Sequence, residues 1–317
     1  MHSTCPQFAR MSPMKGSFKE DLSIALRGVL MGSADVVPGV SGGTVALIVG
    51  IYERLISAIA SFDATLVALI LAQRWKDVLR HIDFRFLAAL GTGIAVAVLS
   101  LAKIITWLIL NKPIPTWSFF FGLILASAIL VYRQIPRWRN GEIITLIVGA
   151  AFAYWLSGLL PAEAPHGPLV LFASGAVAIC ATILPGISGS FVLVLLGQYL
   201  FVLDAIHERS ITTLAVFAAG CGTGLIVFTK LLKVLLRDWR SQTMAFLVGL
   251  MGGSLRKIWP FKIEAPGQEL LKAKHRIRTN FLPDVIDESV LWAIGLTLAG
   301  IAIVFLVDRF GRQASND

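Results

Sequence analysis

Charge-free stretches set the frame of this chain. Residues 113–132, 143–162, 210–229 and 289–307 contain no Asp, Glu, Lys or Arg, and each has about the length, roughly 20 residues, that an α-helix needs to cross a bilayer. They predict four spanning helices. Residues 86–110, interrupted only by Lys103, and the shorter 241–255, flanked by Arg240 and Arg256, predict two more. The uncharged run 167–203 is too long for one span and barely long enough for two with a turn. Pro185-Gly186 falls near its centre, where Pro removes an amide donor, disfavours helix at Leu184, and Gly186 and Gly189 permit left-handed backbone. The pattern therefore predicts a helical hairpin whose tip stops inside the protein.

Residues 28–52 are echoed by residues 175–199 at a constant offset, which makes an internal repeat the organising feature. The cores are Val37-Pro38-Gly39-Val40-Ser41-Gly42-Gly43 and Leu184-Pro185-Gly186-Ile187-Ser188-Gly189-Ser190, with further identities at Val45 and Val192, Gly50 and Gly197, and Tyr52 and Tyr199. Gly91-Thr92-Gly93 corresponds in turn to Gly222-Thr223-Gly224. Three spans separate the two units, and an odd number inverts the second copy. Inverted repeats with broken helices are how many transporters place a binding site near the bilayer midplane, and irregular backbone at that depth marks a cavity.

After each break a serine precedes a new apolar helix: Ser41 before Gly42-Gly43-Thr44, and Ser188 before Gly189-Ser190-Phe191. Serine is a good N-cap, the first-turn amides are free, and glycines let an anion approach the backbone. Facing one another, the two starts would form an anion cradle; the plainer alternative is that these glycines only let helices pack closely. The breaks themselves are assigned to Pro38, Gly39, Pro185 and Gly186. Asp35, three residues before Pro38, is an ionisable group at membrane depth and so a functional candidate, with capping or pairing to Arg27 as the alternative. Its repeat partner is Thr182. Glu53 and Arg54, where the repeat has Leu200 and Phe201, form either a gate or clamp or a salt bridge at a helix end.

Composition agrees with a membrane protein: 56% of residues are hydrophobic and 15% are charged, outside the range of soluble domains. The net charge of +9 does not indicate nucleic acid, because the basic residues lie in short loops between apolar segments, where they encode topology. Arg74, Lys76, Arg80 and Arg85, then Arg133, Arg137 and Arg139, then Lys230, Lys233, Arg237 and Arg240 are placed inside with Lys15, Lys19 and Arg27. The charge-poor 111–116 and 161–168 are placed outside. The segment 256–288, with seven Lys or Arg, falls outside against that rule. No cleavable signal precedes the first apolar segment, so both termini are expected in the cytoplasm. Cys5, Cys180 and Cys221 have no metal or redox spacing, and the five His residues are scattered. No metal, cofactor or catalytic cluster is expected, and the chain does not read as an enzyme.

The expected organisation is all-α and polytopic. It comprises a cytoplasmic tail 1–20, repeat 1 over 21–135, a linking helix 143–162, an inverted repeat 2 over 168–260, an extracytoplasmic loop 261–288 and a final span 289–308. The motif Ala34-Asp35-Val36-Val37-Pro38-Gly39-Val40-Ser41-Gly42-Gly43-Thr44, with its second copy Pro185-Gly186-Ile187-Ser188-Gly189-Ser190, resembles the PopT family of bacterial polyprenyl-phosphate translocases. The resemblance implies a flippase of the cytoplasmic membrane that returns undecaprenyl phosphate from the outer to the inner leaflet. The phosphate would then bind between Ser41–Thr44 and Ser188–Ser190 with Arg27 or Arg54 compensating charge, and a proton on Asp35 or Glu53 would couple the movement. A small-anion channel or exporter would use the same helix starts.

Overall fold

The computed structural model describes residues 18–36, 41–161, 165, 167–264 and 278–313. It is helical, as the charge-free stretches predict. The first half runs α1 (Phe18–Asp35), α2 (Gly42–Ile48), α3 (Tyr52–Ala60), α4 (Ala64–Leu71), α5 (Trp75–His81), α6 (Phe84–Asn111), α7 (Pro113–Arg133) and α8 (Asn140–Leu156). The second runs α9 (Pro168–Ile183), α10 (Gly189–Leu195), α11 (Tyr199–His207), α12 (Ile211–Asp238), α13 (Arg240–Ile258) and α14 (Glu288–Gln313). Between α13 and α14, β1 (Lys262–Glu264) pairs antiparallel with β2 (Arg278–Asn280), Ile263 opposite Thr279.

Among the described residues four helices, α6, α7, α12 and α14, are long and apolar enough to cross a membrane, and counting each bent pair, α2 with α3 and α10 with α11, as one span makes six. Two expected spans come out differently. The uncharged 143–162 holds helix only to Leu156, because Ser157 and Gly158 fold into a turn bonded back to Ala153 and Trp155. The segment 241–255 lies within α13, which is not among the helices apolar enough to count. It has no need to be: α13 packs on both α7 and α8 and buries Met244, Ala245, Leu247, Leu250 and Met251, so protein rather than lipid surrounds it. The lipid-facing character lies elsewhere, with Leu99, Leu169 and Ile211 each about 80% exposed on α6, α9 and α12, as exposed apolar helix faces of a membrane protein are.

Helix contacts display the repeat residue by residue. In one pair, α1 packs on α6 and α9 on α12; in the other, α7 packs on α14 and α13 on α8. Gly28 abuts the Leu90 carbonyl and Gly93 that of Ala25, while Gly175 abuts the Phe217 carbonyl and Gly220 that of Phe172. Likewise Gly122 meets the Thr297 carbonyl and Gly300 that of Phe119, matched by Gly249 on Leu146 and Gly149 on Phe246. This register corrects one alignment: Gly93 is the counterpart of Gly220, one helical turn from the correspondence of Gly91-Thr92-Gly93 with Gly222-Thr223-Gly224. Gly91 and Gly222 face open space. It also extends the repeat to α8 and α14, each packed on the other half, and leaves α4 and α5 as an insertion in the first half. Five helices, α4 to α8, lie between the first bent pair and α9; with the inserted α4 and α5 set aside, α6, α7 and the shorter apolar α8 are three, an odd number consistent with an inverted arrangement.

The hairpin 167–203 is more broken than a single reversal. α10 and α11 meet at 106°, and α2 and α3 at 118°. Both corners are made the same way: Gly50 and Gly197 adopt φ near +70°, and Ile51 and Gln198 donate back to the Ala46 and Leu193 carbonyls. This is the Schellman ending, for which glycine is the usual residue.

Candidate functional site

The two breaks meet. α9 ends at Ile183, before Pro185, with its last carbonyls unserved by its own amides, and the first half supplies their partners. Ser41, 1% exposed, donates from Oγ to the Thr182 carbonyl at 2.9 Å and accepts from the Gly43 amide at 3.1 Å. The Tyr52 hydroxyl donates to the Ile183 carbonyl at 3.4 Å. In return the Gly186 amide donates to Thr44 Oγ1 at 3.1 Å, and the Gly43 α-carbon packs against the Ile183 carbonyl. Ser41 is an N-cap in extended backbone, as its place in the motif predicts, and at the same time the C-terminal cap of the other repeat's helix.

Ser188 does not mirror it. Its side chain caps no amide; its Oγ shares a hydrogen bond with Ser190 Oγ at 2.8 Å. Asp35 lies at the end of α1, and its Oδ1 accepts from the Gly42 amide at 2.6 Å. At the matching place in the second half stands Thr182, whose Oγ1 donates to the Ala178 carbonyl at 3.0 Å. Both side chains press on the glycine that opens the next helix, Asp35 on Gly42 and Thr182 on Gly189, and a Cβ at either glycine would overlap them.

Asp35, Ser41, Thr182, Ile187, Ser188, Gly189 and Ser190 together line a cavity of about 230 Å³. All but Ser190 are buried or half-buried, and Ser190 is exposed at its edge. A larger indentation of about 410 Å³ on the lipid-facing end of α6 is lined by residues of that helix alone, among them Lys103 and Trp107, and one helix does not enclose a ligand. Of the predicted site residues, Asp35, Ser41, Ser188, Gly189 and Ser190 therefore share the cavity. Gly42 borders it through its amide, Gly43 and Thr44 knit the repeats together behind it, and Pro185 and Gly186 form the break. Pro38 and Gly39 lie outside the described residues.

Arg27, Glu53 and Arg54 do not line the cavity. Arg54 is held by Asp83 through two hydrogen bonds of 2.7 and 3.1 Å, lies 4.0 Å from Glu20 and stacks over the Phe86 ring. Glu53 pairs with Arg240 at 2.7 Å, joining α3 to the start of α13, which matches the salt-bridge alternative. Arg27 is half-buried on α1 in the neighbourhood of Arg54. The residues that the sequence does not single out are Thr182 and Tyr52 as cross-repeat partners and Lys257, whose ammonium lies over the Phe191 ring. Only the register of the repeat points to the first two.

A bundle of apolar helices in two matched halves, with a small cavity lined largely by hydroxyl and carboxyl side chains, is the architecture of a multi-pass membrane protein. Residues 31–274 match the family described as VCA0040-like, undecaprenyl phosphate translocase-like, and the chain belongs to that family. It is 41% identical over 95% of its length, and the whole of the relative's, to a protein of Vibrio cholerae serotype O1 named polyprenyl-phosphate transporter. It is 30% identical to a protein of the same name from Staphylococcus aureus, over 74% of this chain and 85% of that one. No solved structure matches the chain.

Proposed function

We propose that the protein carries a polyprenyl phosphate, undecaprenyl phosphate in a bacterial cell, across the cytoplasmic membrane from the outer to the inner leaflet, with both termini in the cytoplasm. The observation that carries this reading is the cavity at the meeting of the two breaks, in a chain whose relatives are named for that transport. It is polar, holds the Ser188–Ser190 hydroxyl pair and is bordered by the first-turn amides of α10, which no intrahelical carbonyl serves. α2 and α10 have only seven residues each, so hydroxyls and amides, more than helix dipoles, recognise the phosphate. The apolar tail remains in lipid beside the bundle. Both relatives are named as transporters, which favours transport over catalysis.

Asp35 gives this site its coupling. An ionised carboxylate and a phosphate 4 Å apart repel by about 4 kcal/mol at an effective dielectric of about 20, so the cavity favours the phosphate when Asp35 carries a proton. A proton moving with the lipid also offsets the membrane potential, which opposes inward movement of negative charge by about 2.3 kcal/mol per charge per 100 mV. The test is flipping of undecaprenyl phosphate in proteoliposomes under an imposed pH gradient. Wild type is expected to flip the phosphate lipid, but not neutral polyprenol, faster with the gradient, and Asp35→Asn to lose the gradient dependence. An Asp35→Asn protein that stays gradient-sensitive removes the coupling role. Conduction of phosphate or chloride without lipid replaces the flippase reading with a small-anion channel.

A further inference from the structure

The second break has a cation beside it that the cavity's own lining does not use. Lys257 lies in the last turn of α13, one turn beyond Ser254, and Ser254 Oγ is 3.0 Å from where a Cβ on Gly186 would stand. The end of α13 is thus seated directly on the break between α9 and α10. Lys257 Nζ lies 4.2 Å from the ring centre of Phe191, the residue that follows Ser190 at the exposed edge of the cavity.

Its surroundings differ from those of the paired cations on the scaffold. Arg54, Arg85 and Arg240 each hold a carboxylate at 2.7 Å. Arg256, next in sequence, turns away towards α8, donating to the Tyr154 carbonyl at 3.1 Å and stacking over the Tyr154 ring. Lys257 is half-buried, and no carboxylate among the described residues pairs with it. Withdrawing an ammonium from water without a counter-charge is costly, and an aromatic face returns only about 0.5–2 kcal/mol. A second ammonium points into the same quarter: Lys262 Nζ donates to the Lys257 carbonyl and lies 4.7 Å from the ring centre of Trp117. At the counterpart of Lys257 in the first half, in the register set by the Gly122 and Gly249 contacts, stands the apolar Leu130.

We infer that Lys257 is the docking cation for a phosphate monoester at the mouth of the cavity. The inference rests on the proposed function, which supplies the lipid that carries the monoester. The ammonium leaves the Phe191 ring for the phosphate, and the Ser188 and Ser190 hydroxyls receive the same headgroup as it moves inward. On this view the second repeat supplies the charge that the first repeat's Arg27 and Arg54 do not bring to the cavity.

The test is equilibrium binding to the full chain in lipid nanodiscs, with undecaprenyl phosphate, neutral polyprenol and inorganic phosphate as three probes. Lys257→Met keeps most of the stem's packing and removes the charge, Lys257→Gln removes both, and Lys257→Arg restores the charge. Wild type is expected to prefer the phosphate lipid to both other probes. Lys257→Met and Lys257→Gln should weaken that lipid by about ten-fold or more, the scale of one lost charged hydrogen bond. Neutral polyprenol binding should be unchanged, Lys257→Arg should recover most of the loss, and Arg256→Gln should bind as wild type. If the phosphate lipid is preferred but the uncharged variants bind it as wild type does, the role of Lys257 is overturned while the transport reading stands. If wild type does not discriminate the phosphate lipid from neutral polyprenol, the transport reading fails and this inference falls with it. Inorganic phosphate bound as tightly as the lipid assigns the site to the free anion and overturns the lipid assignment.

Discussion

The two broken segments share a backbone and differ in charge. In both, a helix is followed by a seven-residue helix that opens on a glycine and ends in a turn at a left-handed glycine. On that common frame the first segment places a carboxylate, Asp35, against the opening amide, and the second places the hydroxyl of Thr182. The α3 helix of the first carries ion pairs through Arg54 and Glu53, to Asp83 and Arg240; the second has Phe191 with Lys257 above it. Packing differs too, for α3 is laid against α12, while no packing of comparable extent joins α11 to α6 among the described residues. What the two segments share is the helix pattern and the left-handed corners; what distinguishes them is the charged groups each carries.

The steric part of the comparison gives the largest expected effects. The three atoms nearest a Cβ on Gly42 all belong to the Asp35 carboxylate, the closest at 2.5 Å, whereas a Cβ on Gly189 would meet both Thr182 Oγ1 and the Ala178 backbone carbonyl. Gly42→Ala and Gly189→Ala should each lower stability by about 1–3 kcal/mol, the scale of overpacking, read as unfolding in detergent. Asp35→Ala should rescue Gly42→Ala. Thr182→Ala should not rescue Gly189→Ala, because the carbonyl remains, and equal rescue of both would show that the two glycines do not differ as described.

The hydroxyls give a smaller contrast. Ser41→Ala leaves the Thr182 carbonyl buried without its partner and should cost about 1–3 kcal/mol. Ser188→Ala removes only a bond to another hydroxyl and should cost less than about 1 kcal/mol, its effect falling on the phosphate lipid instead. Equal losses of stability would place both serines in the same structural role.

Much of this arrangement is legible in the residues alone, for identifiable reasons. Pro185-Gly186 within an uncharged run announces a break because proline and glycine act through local backbone, and Ser41 is recognisable as a cap for the same reason. The matched glycines at 50 and 197 mark corners that only a left-handed residue makes easily. What escapes is what depends on which helices meet. The register of Gly93 against Gly220 is hidden because α4 and α5 are inserted before α6 in the first half only, so sequence likeness at Gly91-Thr92-Gly93 falls one turn out of step. Ser41 reaching the Thr182 carbonyl, and Lys257 reaching the Phe191 ring, join segments far apart in the chain that carry no shared local signal. The same is true of Arg54, which Asp83, at the left-handed position before α6, holds from 29 residues further along the chain.

If the phosphate occupies the cavity, the Ser188–Ser190 pair is the part of its lining least committed to holding the fold. Undecaprenyl phosphate flipping by the Ser188→Ala, Ser190→Ala double variant in proteoliposomes, with the unfolding temperature measured alongside, tests that occupancy most directly. The expected result is flipping reduced by about ten-fold or more, as for the loss of charged hydrogen bonds, in a protein that unfolds within a few degrees of wild type. Flipping at the wild-type rate would contradict the cavity as the headgroup site.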